Sequence, residues 1–174
     1  GKKHCGRGLL GVMSVPHLPC LRFGEVYRSF NESEVKDYRD GSPKATLSQV
    51  NAGIIRRDLM KIGKAREALA RFSTRELVDI SAKAGELFLN DDLPLGEGSM
   101  QSAQEYLETL SSTSGLPHVM VKRNMDKIHY ALTHLELILN GLTRGINFDI
   151  LDQGHGEQAG APVCFYPTTD ALGL

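Results

Sequence analysis

The sequence contains no tryptophan, and aromatic residues make up only 6% of its 174 residues. Few rings are therefore available to stack on nucleobases or to build an aromatic-rich binding surface. The charges nearly cancel, because the chain has 20 lysines and arginines and 21 aspartates and glutamates. A net charge of -1 creates no global field that attracts nucleic acid or an anionic membrane, so we expect neither as a partner.

Long apolar runs and paired cysteines are also missing. No run approaches the roughly 20 apolar residues that span a bilayer. Cys5, Cys20 and Cys164 contain no C-x-x-C pair, and this odd number of thiols favours a reducing compartment. We therefore predict a cytoplasmic protein. The basic residues 1–8 precede a short apolar stretch that glycine interrupts, which favours a flexible arm over a secretory signal.

The remaining composition is that of a folded chain, with 41% hydrophobic and 24% charged residues. Glycines and prolines predict an extended arm with one or two short strands over residues 1–45. Helical periodicity predicts about four helices over residues 46–145. Residues 146–174 indicate a Gly-rich loop and a short strand. The predicted fold class is mainly α with a few short β-strands.

Four amphipathic segments make up the predicted helical region. Gly53 and Gly63 predict that the first segment is two helices or one kinked helix. Ser73 and Glu76 have the spacing of a capping box, so the second helix begins there. The predicted inward positions, in chain order, are Val50, Ile54, Ile55, Leu59, Ile62, Ala65 and Leu69; Leu77, Ile80, Ala84, Leu87 and Phe88; Met100, Ala103, Leu107 and Leu110; and Val121, Ile128, Leu132, Leu135, Leu139 and Leu142.

The sequence contains motifs typical of dinucleotide-binding and metal sites, but each lacks neighbouring elements or ligands that such a site needs. Residues 6–11 match G-x-G-x-x-G, but no strand precedes them and Pro16 prevents a long helix after them. Asp152, His155 and Glu157 could supply metal ligands, but without a fourth ligand we predict no metal site. The histidines His118, His129 and His134 also lack the helical spacing of a metal pair.

Two further groups favour structural roles. Cys164 lies in a short apolar run and is predicted to be a packed thiol. A cationic surface formed by Arg56, Arg57, Lys61 and Lys64 could attract phosphate, but nearby acids favour a solvated face. We therefore assign no catalytic, cofactor-binding or metal-binding residue to this chain.

Five stretches, read in order, resemble the N-terminal part of the aldehyde dehydrogenase superfamily. Residues 21–29 (LRFGEVYRS) resemble its opening strand, and residues 37–46 (DYRDGSPKAT) its following turn. Residues 64–88 resemble its Ala-Arg-x-Ala helix, Ser-containing turn and next helix. Residues 114–117 (SGLP) and 165–174 (FYPTTDALGL) resemble later steps. Asp37, Tyr38 and Leu116 depart from the family pattern and indicate an outlying branch, with an acyl-CoA reductase-like member as one candidate.

This resemblance implies an NAD(P)-dependent oxidoreductase whose cofactor-binding segments, nucleophilic cysteine and general-base glutamate lie beyond Leu174. The chain alone is then catalytically incomplete and carries no cofactor, whereas NAD or NADP binds the parent protein. The fold implied is the helical N-terminal part of an α/β aldehyde dehydrogenase-like fold. Residues 146–174 then lead toward an absent dinucleotide-binding domain. The resemblance also implies a homo-oligomer whose contact strand contains Val163, Cys164, Phe165 and Tyr166.

Two alternatives remain open. The chain could be a free-standing helical interaction module, whose partner docks on an apolar stripe that the helices leave uncovered. It could also be a regulatory pseudoenzyme that assembles through its terminal strand. Substrate, cofactor preference and reaction direction do not follow from these residues.

Overall fold

The structure is a computed structural model that describes residues 15–162. About half of these residues are helical, and the rest include nine short strands, which confirms a mainly α chain with a few short strands. The strands are β1 (His17–Leu18), β2 (Cys20–Arg22), β3 (Glu25–Tyr27), β4 (Glu32–Lys36), β5 (Pro43–Ser48), β6 (Leu93–Gly96), β7 (Ser99–Gln101), β8 (Glu157–Gln158) and β9 (Ala161–Pro162). The helices are α1 (Ala52–Leu59), α2 (Ile62–Leu69), α3 (Thr74–Asn90), α4 (Ala103–Ser114), α5 (His118–Thr133), α6 (Leu135–Leu142) and α7 (Phe148–Gln153).

The largest sheet has β5 at its centre, parallel to β1 and antiparallel to β4. Strands β2 and β3, β6 and β7, and β8 and β9 form separate antiparallel hairpins. The N-terminal segment thus has five strands where we expected one or two, and the last of them, β5, extends over residues 46–48, where we expected the helical region to begin. The reason is that such short strands have little periodicity, and the β1–β5 pairing joins His17 to the distant Thr46. The proposed division of the chain into three regions stays a prediction.

Helices α3 and α4 begin at capping boxes. The Ser73 side chain accepts a hydrogen bond from the Glu76 amide, and the Glu76 carboxylate accepts one from the Ser73 amide, as the sequence predicted. Ser102 and Glu105 make the same reciprocal pair at α4, although the sequence analysis did not identify it. Helix α4 ends at Gly115, whose φ of 77° is left-handed and suits glycine. Local sequence therefore fixes these helix ends.

The predicted fourth helix is two helices, α5 and α6, interrupted at His134. The Thr133 hydroxyl donates to the His129 carbonyl at 2.8 Å, a side-chain bond that bends helices. A further helix, α7, lies within the predicted Gly-rich loop and begins where the Asn147 side chain accepts from the Asp149 amide. The described residues between 46 and 145 thus contain six helices where we expected about four.

The core lies between α3, α4 and α5. Leu107, Val121 and Met125 are buried there, and the rings of Phe88 and Tyr106 meet edge to face at 5.4 Å. Helix α3 approaches α5 closely at Gly85, because a β-carbon there would lie only 3.0 Å from the Leu132 Cβ. Several predicted inward positions are wrong, because tertiary contacts decide which face is buried: the exposed ones outside α1 and α2 are Val50, Ile80, Ala84, Leu87, Met100, Ile128 and Leu142.

Candidate functional site

Helices α1 and α2 carry apolar side chains that the described part of the chain does not cover. Of the two possibilities that the sequence left open, two helices or one kinked helix, the structure has two helices, and neither has a buried residue. Their predicted inward residues are largely exposed: Ile55, Leu59, Ile62 and Leu69. Met60, in the break between the helices, is 81% exposed. An apolar surface of this kind is typical of a contact site.

A groove runs along one side of α2, and its volume is about 810 Å³. We call it the α2 groove; it is lined by Phe23, Gly24, Lys61, Lys64, Ala65, Ala68, Leu69 and Phe72. The spacing of its α2 residues places them on one helix face, where the two alanines leave room for a partner to approach. Phe23 and Phe72 are each about half exposed, at 52% and 48%. The groove therefore offers an open, mostly apolar surface.

The β2–β3 turn is held against α1 by an ion pair. The Arg22 guanidinium donates to both Asp58 carboxylate oxygens, at 2.7 and 2.6 Å. The hydrogen bond from Arg22 lowers the pKa of Asp58 and, reciprocally, raises the pKa of Arg22. The turn itself contains Phe23 at a φ of 53° and Gly24 at 83°. Left-handed backbone is uncommon for a bulky residue, and here it presents Phe23 at the groove.

The charged residues that line the α2 groove are both cationic. Within residues 15–162, neither Lys61 nor Lys64 forms an ion pair, and no acidic side chain lines the groove. The predicted solvated cationic face is exposed at all four of its residues, Arg56, Arg57, Lys61 and Lys64, and the two lysines also line the α2 groove. An apolar floor beside ammonium groups can bind an anionic amphipathic partner, but it contains no nucleophile paired with a base.

A buried histidine forms a second cluster that the sequence analysis missed. His17 is 5% exposed, and its Nδ1 and Nε2 lie 2.7 Å from Thr46 Oγ1 and 2.9 Å from Ser48 Oγ. Glu32 lies 3.8 Å from the same Nδ1. The order serine, histidine, carboxylate resembles a hydrolase triad. Ser48 Oγ, however, also accepts a hydrogen bond from the Ser29 amide, and none of Ser48, His17 and Glu32 lines the pockets of about 810, 420 and 290 Å³. The cluster joins β1, β4 and β5, a structural role.

A polar pocket of about 420 Å³ lies between the β4–β5 turn and α4. Asp37 is almost buried there and contacts the ammonium group of Lys44 at 3.5 Å. Its carboxylate also accepts a hydrogen bond from the Arg39 amide at 2.9 Å. Acidic and basic groups are mixed, so the pocket has no clear preference for a charged ligand.

Of the candidate metal ligands Asp152, His155 and Glu157, the side chain of Glu157 lies outside the described part of the structure, so the expectation of no metal site there stays a prediction. Asp152 accepts hydrogen bonds from the Thr74 amide and hydroxyl, the latter at 2.6 Å. Among the residues whose side chains the structure describes, no group of three or more histidine, cysteine, aspartate or glutamate residues could hold a metal ion. The carboxylate of Asp152 is thus used to join α7 to α3.

The three helical histidines have separate surroundings. His129 Nε2 lies 2.9 Å from a Glu86 carboxylate oxygen, and the His134 ring stacks on Tyr130 at 4.0 Å. His118 lines the polar pocket beside Asp37. These positions do not bring the three rings to one centre.

The predicted oligomerisation residues Val163, Cys164, Phe165 and Tyr166 lie outside the described residues, as do Cys5 and the motif at residues 6–11. Oligomerisation through this strand therefore stays a prediction. Cys20 is described, and its thiol donates to the Ser48 carbonyl at 3.2 Å. Among residues 15–162, no helix is both long and apolar enough to cross a membrane.

Sequence signals could have identified part of this site. The predicted α2 stripe includes Ala65 and Leu69, which both line the groove. Gly24 between two short apolar stretches indicates a turn there, although Phe23 is not a usual residue for the left-handed position before it. The position of this turn beside α2 depends on the contact between Arg22 and Asp58. These two residues are 36 positions apart in the sequence, so the contact leaves no periodic signal.

No family model, curated protein or solved structure matches this chain. The resemblance to the aldehyde dehydrogenase superfamily therefore gains no support from these comparisons and depends on the sequence motifs alone.

Proposed function

We propose that this chain is the N-terminal part of an NAD(P)-dependent aldehyde dehydrogenase-like oxidoreductase of the cytoplasm and is catalytically incomplete by itself. The observation that carries the proposal is the uncovered apolar surface of α1 and α2, which a companion domain of the parent protein would bury. The ordered sequence motifs indicate which family that parent resembles. In this proposal the finer fold is the helical part of an aldehyde dehydrogenase-like fold.

The proposed role of this chain is structural. Its helices pack against the dinucleotide-binding domain, and its C-terminal strand contributes to assembly of a homo-oligomer. The cysteine thiolate that attacks an aldehyde or acyl-CoA carbonyl, and the cofactor that exchanges hydride, belong to the remaining polypeptide. This division of labour agrees with the described surroundings of His17 and Asp152, whose polar atoms serve structural hydrogen bonds.

The test compares this chain with the full gene product that contains it. We expect the full product to reduce NAD or NADP with an aldehyde, or to oxidise the reduced cofactor with an acyl-CoA, whereas this chain alone does neither. Dinucleotide binding is measured separately by fluorescence of the reduced cofactor. If the full product lacks a dinucleotide-binding strand and a downstream cysteine and glutamate, the proposal is wrong.

A free-standing interaction module is the second candidate, because the α2 groove is also suited to a separate partner. The two readings predict different behaviour in solution. A module is monodisperse and unfolds in one cooperative transition, whereas a part that lacks its companion domain self-associates through its apolar surface.

A further inference from the structure

The α2 groove has the shape and surface of a helix-binding site. Its floor combines small side chains, Ala65 and Ala68, with larger ones, Leu69 and Phe72, on one face of α2. Phe23, from the β2–β3 turn, also lines the groove. Small residues let a second helix approach to the usual interaxial distance of about 8–10 Å, and the larger ones supply apolar contacts. This is the arrangement that holds an amphipathic helix in a groove.

The charge of the side chains that line the α2 groove distinguishes among its possible binding partners. Lys61 and Lys64 are the charged residues that line the groove, and neither has an ion-pair partner within the described residues. The acid on α2, Glu67, lies two residues beyond Ala65 and therefore faces away from the groove. A second copy placed groove to groove would bring four ammonium groups together, which is unfavourable. A flat membrane surface cannot follow a concave floor as closely as a helix can.

We propose that the α2 groove binds an acidic amphipathic α-helix, with its apolar face on Ala65, Ala68 and Leu69 and its carboxylates opposite Lys61 and Lys64. The inference goes beyond the proposed oxidoreductase, because it specifies the chemistry of the partner and holds whichever polypeptide carries the helix. The ammonium groups select an acidic helix and speed its association, while the apolar floor retains it.

The test uses the whole chain and a designed, fluorescein-labelled amphipathic peptide about three turns long. Its apolar residues are leucines at helical spacing, and its flanking residues are glutamates. A matched peptide has lysines in place of the glutamates. Binding is measured by fluorescence anisotropy. We expect the acidic peptide to bind at least about 10-fold more tightly than the basic one, and its binding to weaken as salt is raised.

Three exposed positions, Lys61 just before α2 and Lys64 and Ala68 within it, allow the groove to be changed without disturbing the core. The double variant Lys61→Glu, Lys64→Glu reverses the peptide preference, and Ala68→Arg obstructs the floor and abolishes binding of both peptides. The matched control Arg56→Glu, Arg57→Glu makes the same charge change on α1, outside the groove, and keeps the acidic peptide's affinity within about two-fold. Circular dichroism confirms that each variant retains its helices.

Four results would overturn the inference. They are no binding of the acidic peptide at about 1 mM, equal affinity for both peptides, an unchanged preference in the double lysine variant, or stronger binding to phosphatidylglycerol vesicles than to the peptide. A dimer of the chain that Ala68→Arg dissociates would likewise assign the groove to a second copy. None of these outcomes bears on dehydrogenase activity of the full gene product, so the two proposals fail separately.

Discussion

At the residue scale, the carboxylate of Asp152 connects two helices that are distant in sequence. Its oxygens lie 2.8 and 3.1 Å from the Thr74 amide, and the Thr74 hydroxyl donates at 2.6 Å. Thr74 is in the first turn of α3, where an amide has no partner within the helix and a negative charge is favoured. His17 serves a similar purpose in the sheet. Asp152 and His17, which are residue types common in catalytic and metal sites, thus join helices and strands in this protein.

We expect Asp152→Ala to lower the free energy of unfolding by about 1–2 kcal/mol, because the Thr74 groups lose their acceptor. Thermal unfolding followed by circular dichroism measures this loss. Asp152→Asn keeps one acceptor oxygen and should restore part of the stability. The control Asp126→Ala, whose carboxylate has no described hydrogen bond or ion pair, should change stability by less than about 0.5 kcal/mol. A rise in Tm when zinc chloride is added would contradict this structural role.

At the element scale, helix starts are set by local chemistry and helix faces by neighbours. Ser73 with Glu76 and Ser102 with Glu105 satisfy amides that the first turns of α3 and α4 leave free. Hydrogen bonds from the Ser73 and Ser102 backbones lower the pKa of Glu76 and Glu105 respectively. Close packing at Gly85, in contrast, depends on where α5 lies.

The lowered pKa values predict part of the acid sensitivity of the fold. A carboxyl group with a lower pKa in the folded state stabilises the protein above its unfolded pKa of about 4.3, and this contribution is lost as the pH falls through the folded pKa. We expect Glu76→Gln, Glu105→Gln to be less stable than the parent at pH 7 and to lose less stability on acidification from pH 5 to pH 3. Urea unfolding across this range measures both effects.

Glu67→Gln is the control for this pair, because the Glu67 side chain accepts no described hydrogen bond. Its stability should follow the same pH dependence as that of the parent. If the free energy of unfolding fell equally with pH in the parent and the double variant, the capping carboxylates would not contribute to acid unfolding.

Gly85→Ala tests the close approach of α3 and α5. Alanine favours a helix by up to about 1 kcal/mol, but its β-carbon would lie 3.0 Å from Leu132 Cβ and 3.1 Å from Thr133 Cγ2. We expect net destabilisation of about 1 kcal/mol. Gly141→Ala in α6 is the matched control, because its β-carbon would meet no atom within 4 Å, and it should be neutral or stabilising. An equal rise in Tm for Gly85→Ala and Gly141→Ala would contradict the close packing of α3 against α5 at Gly85.

At the scale of the whole molecule, a small core carries a large apolar surface. The buried core cluster consists of Leu107, Val121 and Met125, while α1 and α2 contribute no buried residue. The α5 and α6 surfaces also expose large apolar side chains, including Val119, Met120 and Leu137. The companion domain of the proposed parent protein would cover these residues, whereas the proposed acidic helix would cover the α2 groove alone.

We expect the isolated chain to bind a hydrophobic dye strongly and to self-associate as its concentration rises, because its apolar surface has no described cover. Dye fluorescence and sedimentation velocity measure the two effects. The control is a variant with Ile55→Glu and Leu59→Gln on α1, which should reduce both while keeping the helical circular dichroism signal. A monodisperse chain that binds little dye and unfolds cooperatively would instead support the interaction module.

Local sequence was sufficient for the helical fold class and the capping box at Ser73, because each depends on residues within a few positions of one another. For the segment that contains α1 and α2, it left two helices and one kinked helix as alternatives. It was not sufficient for the β1–β5 pairing of His17 with Thr46, the exposure of Ile80, or the α2 groove. Those features depend on contacts between distant segments, such as Arg22 with Asp58, and such contacts leave no periodic pattern. The position of Phe23 beside α2 follows from folding in three dimensions, since separate segments line the groove.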